Sequence, residues 1–145
     1  MARIGYSISN VKIGKTWLKE QLKDYWTHVP KLRHSKLFIK GFDAKFSFEF
    51  LNLTKKQVRI LTMFLTGHGY FNEYLKKIGR VTDGRCRFCG DIGETSEHLL
   101  CECESLSVKR QYFFGKPLLE PVDFWSHSLK DILKIIDCMK LKLEM

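Results

Sequence analysis

No run of about 18 apolar residues occurs in this chain, so its sequence predicts no membrane-spanning helix and no membrane partner. The opening, MARIGYSISNVKIGK, lacks the apolar stretch of a secretory signal, which points to a nuclear or cytoplasmic protein rather than a secreted one. There is no phosphate-cradling glycine loop, no dinucleotide fingerprint and no nucleophile elbow. Internal repeats and low-complexity stretches are absent as well. Acidic residues are scarce, 16 against 25 Lys and Arg in 145 residues, for a formal net charge of +9. Disorder is excluded by composition, since hydrophobic residues reach 44% and aromatics 13%.

The missing acids are missing unevenly. Residues 1–85 hold 17 Lys and Arg against 6 Asp and Glu, whereas residues 86–106 hold one Arg and five acids. A basic excess of this size suits phosphate contacts, although a merely soluble lysine-rich surface has the same composition. The organisation expected is a single compact unit. It comprises a basic helical region over 1–82, a metal-binding knuckle over 83–106, and a C-terminal helical segment over 107–145 that packs on the rest.

Apolar spacing predicts a mainly α fold. Val11, Gly14, Trp17, Leu18, Leu22, Tyr25 and Trp26 recur at helical intervals from Asn10 to Trp26, with Ser9 or Asn10 as cap and Pro30 beyond. The aromatics of that stripe read as core rather than as a base-stacking platform. From Ser35 to Phe50 the phenylalanines mix both periods, leaving a short strand and turn as open as a helix. Thr54 to Gln57 has the form of a capping box ahead of Val58, Leu61, Phe64 and Leu65, and that helix should stop at Gly67. A shorter helix is expected over Phe71 to Ile78, closed by Gly79. Pro117 and Pro121 interrupt the chain after Phe114. Ser126 or Ser128 then caps a last helix, Leu129 to about Leu141, with Cys138 buried and inert on its inner face.

Five cysteines, four of them between Cys86 and Cys103, fit a reducing compartment better than a disulfide framework. Asp83-Gly84 reads as a turn leading into Cys86-Arg87-Phe88-Cys89-Gly90, and Thr95 or Ser96 caps a helix carrying His98. Cys86, Cys89, His98 and Cys103 have the identity and approximate spacing of a Cys₃His structural zinc site, closed to water. A zinc-knuckle-like element, with one short strand pair at most, is therefore expected. Cys101 competes with Cys103 for the fourth position. On an unbroken α-helix it lies three residues from His98 on nearly the same face, whereas Cys103 is turned about 140° away. Zinc modules, however, usually leave three to five residues between their later ligands. Cys103 is taken as the ligand and Cys101 as a small buried apolar residue. Thioredoxin-like redox use of the Cys-x-x-Cys pair is disfavoured by the turn before it and the glycine after it. His68, between two glycines, is expected to be structural, and His28, His34 and His127 stand without reactive neighbours.

LTGHGYFNEYLKKIG (Leu65 to Gly79) and CRFCGDIGETSEHLLCECESL (Cys86 to Leu106) resemble the C-terminal region of the second open reading frame polyprotein of jockey-type non-LTR retrotransposons. WLKEQLKDYW and RHSKLFIKG upstream, and KPLLEPVDFWSHSLKDILKII downstream, match in character. The resemblance implies a segment that follows reverse transcriptase and ribonuclease H domains, with Cys86, Cys89, His98 and Cys103 on the family's zinc ligands. This chain has no Gly-Asn-x-x-Ala-Asp segment and no Tyr-x-Asp-Asp-type motif, so no catalysis is expected of it. The expected role is a zinc-stabilised tail that holds RNA or DNA, largely without sequence preference, near the parent polymerase and ribonuclease H domains. Phosphate contacts would come from Lys12, Lys15, Lys19, Lys23, Lys55, Lys56, Arg59, Lys76, Lys77, Arg80 and Arg85. The alternatives are a structural or protein-interaction domain packed on the ribonuclease H domain, a remnant without retained role, or a nuclease using His68.

Overall fold

The computed structural model describes the backbone of residues 8–141 and the side chains of residues 14–141. It is mainly α. Among the described residues seven α-helices run in order: α1 (Ile8–His28), α2 (Arg33–Phe38), α3 (Ala44–Leu51), α4 (Lys55–Thr66), α5 (Asn72–Lys77), α6 (Ser107–Phe114) and α7 (Leu129–Cys138). A π-turn (His98–Glu102) and two 3₁₀ turns (Glu104–Leu106 and Pro121–Ser126) fill the gaps. Strand structure among the described residues reduces to one antiparallel bridge, Arg85 to Gly93.

The best-specified helix is α4. Thr54 Oγ1 accepts from the Gln57 N–H at 3.3 Å, while Gln57 Oε1 accepts from the Thr54 N–H at 2.9 Å, so the capping box is complete. Leu61, Phe64 and Leu65 form its buried face. It ends where predicted, at Gly67, whose φ of +71° lies in the left-handed region that glycine enters without strain. A Cβ there would also sit 2.9 Å from the His34 ring, so side-chain room and backbone both call for glycine.

Helix α7 starts at Ser128, whose Oγ accepts from the Asp131 N–H at 3.2 Å. Leu129, Ile132, Ile135 and Ile136 are buried along it, and Met139 follows just beyond. It rests on α3 and α6, and Glu49 of α3 accepts the Leu129 N–H at its N-terminus. Cys138 is half-buried rather than buried. The core joins Phe38, Leu61, Phe64, Phe71, Phe124 and the α7 isoleucines to Leu99, Leu100, Cys101 and Leu106. The cysteine-rich segment is thus part of the central packing.

Two regions depart from the sequence reading. Between Ser35 and Phe50 there is no strand, but most of α2 and all of α3 except its last residue, Leu51. Asp43 caps α3 by accepting the Lys45 N–H at 2.8 Å, and Phe46 stacks on Phe50 one turn later. Local capping decided what the mixed phenylalanine spacing left open. Helix α1 begins at Ile8, so Ser9 and Asn10 lie inside it, and their side chains fall outside the described residues. The larger correction concerns its stripe: Trp17 is 59% exposed, Leu18 51% and Tyr25 64%. Helix α1 meets the body near its C-terminal end, where Trp26 lies beside Gly41 and Lys36 donates to the Thr27 and Val29 carbonyls. Periodicity identified an amphipathic helix but not what covers it.

Candidate metal centre

Cys86, Cys89, His98 and Cys103 converge so that one ligand atom from each lies within 4.8 Å of every other. Three of the four are buried and Cys89 is half-buried. Cys86 Sγ and Cys103 Sγ are 3.8 Å apart, and Cys89 Sγ is 3.4 Å from His98 Nε2. Thiolates and an imidazole at zinc's bond lengths occupy tetrahedral vertices about 3.8 Å (S to S) and about 3.6 Å (S to N) apart. The spacing therefore fits a tetrahedral ion of that size. It is too long for a disulfide, whose sulfurs sit about 2.05 Å apart.

Each ligand is placed by local backbone chemistry. Asp83 Oδ1 accepts from the Arg85 N–H at 3.0 Å, forming the turn that delivers the loop. The Cys86 N–H donates to Ile92 O and the Glu94 N–H to Gly84 O, pinching residues 84–94 into a narrow loop. Gly90, at φ +80°, lets the chain double back directly after Cys89, and its N–H bonds Cys86 O at 2.9 Å. The backbone N–H groups of Asp91 and Ile92 bond the Cys89 sulfur and hold its thiol pKa down at about 6. Burial, followed by the neighbouring Cys86, pushes Cys103 up to about 12, because two thiolates side by side repel without a cation between them.

The π-turn brings Cys103, not Cys101, into the cluster. Thr95 caps the segment, accepting the His98 N–H at 3.0 Å. From His98 the backbone then bonds five residues ahead, the Cys103 N–H reaching His98 O at 2.7 Å. That wider turn brings residues five apart onto one face and sends Cys101, 1% exposed, into the core. Burial raises the Cys101 thiol to about 12.

Two buried charges missed in the sequence hold this segment. Arg110 is fully buried and donates to the carbonyls of Leu99, Cys103 and Pro117, and the Leu119 N–H takes the Cys101 carbonyl. Together they satisfy carbonyls that the end of the turn would otherwise strand in the core. Glu94, also fully buried, accepts from the Arg87 N–H and guanidinium and from the Asn72 N–H, tying the loop to the start of α5. Glu94 lies within the cysteine-rich string, but only the fold shows it to be internal. Nothing in the spacing around Arg110 marks it as buried.

His98 Nδ1 is buried without a hydrogen-bond partner, and the nearest carboxylate oxygen, Glu102 Oε2, stands 3.6 Å away. That distance is too long for a hydrogen bond, so the ring is held from its Nε2 side alone. A metal-ligating imidazole characteristically presents its other nitrogen to a carboxylate. The orphaned Nδ1 lacks that bond, and Glu102 is the carboxylate placed beside it.

The proposed phosphate contacts scatter over several elements. Lys15, Lys19 and Lys23 are exposed on α1, Lys55, Lys56 and Arg59 on α4, and Lys76, Lys77 and Arg80 at or just after α5. Lys12 has its side chain outside the described residues. Arg85 is exposed but committed to Asp83, 2.9 Å away and bonded through both Nε and Nη2. His68 is exposed, its ring against Tyr74. His34, expected to stand alone, lies 2.6 Å from the buried Ser96 hydroxyl and 3.3 Å from Phe64 O. Burial lowers its pKa, while the bond to the Phe64 carbonyl acts the other way.

A stretch of 45 residues, 31% of the chain, is 44% identical to the Retrovirus-related Pol polyprotein from type-1 retrotransposable element R1 2 of Nasonia vitripennis. The match covers 11% of that polyprotein's length. It relates the chain to a retrotransposon polyprotein, and the element it names is R1 rather than a jockey element. No family model matches the chain, and no solved structure matches it significantly.

Proposed function

We propose that this chain is a zinc-stabilised, non-catalytic nucleic-acid-binding tail of a non-LTR retrotransposon polyprotein, of the kind its resemblance to the C-terminal region of jockey-type elements implies. The observation that carries the reading is the Cys₃His cluster, packed against the core with its ligand atoms close enough to share one ion. Soft thiolates with one imidazole select zinc over hard cations. Bound there, zinc supplies a cross-link between the Cys86–Cys89 loop and the π-turn. Four protein ligands leave it no open position for substrate or water, which makes the centre structural.

Work on nucleic acid would fall to the exposed lysines and arginines, chiefly Lys55, Lys56 and Arg59 on one rigid helix. Such contacts neutralise phosphates without reading bases. Acting beside the parent polymerase and ribonuclease H domains, the tail would retain template RNA or target DNA. Elemental analysis should find one zinc per chain. Affinity for single-stranded RNA should fall with salt at a log–log slope of about −0.7 per neutralised phosphate. Reversing Lys55, Lys56 and Arg59 together should weaken binding to all sequences alike while zinc content stays fixed. Metal-free folded protein, or no binding at low salt, defeats the respective half of the proposal.

A further inference from the structure

Between the start of α4 and the length of α7 runs a groove of about 760 Å³. Its floor is aliphatic: Leu53, Ile60, Leu133, Ile136 and Leu141. Ile136 is buried and the other four are half-buried, so this apolar surface is only partly covered by the protein's own packing. Four exposed lysines stand around it, Lys56, Lys130, Lys134 and Lys140, against one acid, Asp137. Lys134 pairs with Asp131 at 3.0 Å, whereas Lys56, Lys130 and Lys140 have no ion-pair partner among the described residues.

Floor and rim together define the occupant. Phosphates would satisfy the lysines, but the groove has no aromatic side chain on which a base could stack, and a strand lying on the rim would leave the aliphatic floor wet. A helix laid between two helices covers such a floor with residues at i, i+3, i+4 and i+7. The lysines then require acidic flanks on that helix. Helix α1 of a second copy has the apolar stripe but carries Lys15, Lys19 and Lys23 beside it, which would meet the rim with like charge. We propose that the α4–α7 groove is a docking site for an acidic amphipathic helix of a partner protein. This goes beyond the nucleic-acid reading and does not depend on it.

The test uses the full zinc-loaded chain and a fluorescein-labelled 18-residue peptide, with leucines at i, i+3, i+4 and i+7 and glutamates on the flanks. A scrambled peptide of the same composition is the control. Anisotropy should show the amphipathic peptide binding at least tenfold more tightly than the scramble. Leu133→Glu should lower that affinity tenfold or more, and so should the surface pair Lys130→Glu with Lys134→Glu, which leaves the floor intact. Helical signal and zinc content should be unchanged, and affinity for single-stranded RNA should be unaffected by Leu133→Glu. Equal binding of the scramble, or sensitivity to the lysine pair with none to Leu133→Glu, overturns the proposal in favour of bare charge attraction. Equal loss of RNA and peptide affinity in Leu133→Glu overturns it in favour of a nucleic-acid track. A concentration-dependent dimer abolished by Leu133→Glu overturns it in favour of a second copy. A removal of residues 142–145 that raises peptide affinity tenfold overturns it in favour of the chain's own tail. Failure of RNA binding alone leaves the peptide result standing, so the two readings fail separately.

Discussion

Cys101 and Cys103 are both buried and only two residues apart, yet Cys103 alone reaches the sulfur of Cys86. The choice between them was legible in the sequence as a spacing preference, but its mechanism was not, because no residue type announces a π-turn. Cys103→Ala should therefore abolish metal retention, while Cys101→Ala keeps one ion per chain at a cost of about 1 kcal/mol from the small cavity. The reverse pattern, read by elemental analysis of the two purified variants, would place the ligand on Cys101. Glu102 offers a finer test. With His98 Nδ1 orphaned beside its carboxylate, Glu102→Gln should weaken metal affinity about 10- to 100-fold, as other losses of a ligand's carboxylate partner do. Competition with a chromophoric chelator measures this. An unchanged affinity would mean that Nδ1 is satisfied by another group when the ion is bound.

Among the elements, those with a self-contained local signal were read correctly from sequence. Thr54 and Gln57 satisfy each other, Gly67 ends α4, and Ser128, one of the two caps left open, starts α7. Helix α3 was ambiguous because its phenylalanines serve different ends: Phe46 and Phe50 pack inward, while Phe48, like Phe42 just before the helix, stays exposed. Helix α1 was misread in its packing. Its stripe has the period of a core helix, but burial is a property of two surfaces and the sequence supplies only one. The difference is measurable. Trp17→Ala with Tyr25→Ala should change unfolding free energy by no more than about 1 kcal/mol, since surface substitutions usually stay within about 0.5 kcal/mol each. Removing two core aromatics would instead cost about 3–5 kcal/mol each. Urea titration followed by far-ultraviolet circular dichroism separates these outcomes, and a large loss would show that α1 docks on the body in solution.

Across the whole molecule, the core and the candidate metal site are one structure, because the segment that bears His98 and Cys103 also supplies Leu99, Leu100 and Leu106 to the core. Metal binding should then be visible as global stability, and its pH dependence follows from the thiols. Cys103 is held up at about 12 without the ion, so near neutral pH its proton must leave when the metal arrives. Cys89, held down at about 6, is mostly thiolate at pH 7 and releases little there. Between pH 6.5 and 8 the apparent affinity should therefore improve at least about tenfold per pH unit, the slope of one displaced proton. Below about pH 6 Cys89 becomes protonated too, and the slope should steepen as the site loses its second thiolate. Burial of His34 acts in the same direction. Its pKa is lowered from 6.5, so the unfolded chain binds the proton more readily, and stability falls as pH drops through that value even without metal. Thermal denaturation from pH 5 to 8, with zinc buffered by a chelator and repeated on metal-free protein, divides the two contributions. The loaded protein should lose melting temperature on acidification more steeply than the metal-free one. Parallel curves would mean that no thiol proton is exchanged for the ion, and that the four residues do not bind it as a thiolate cluster.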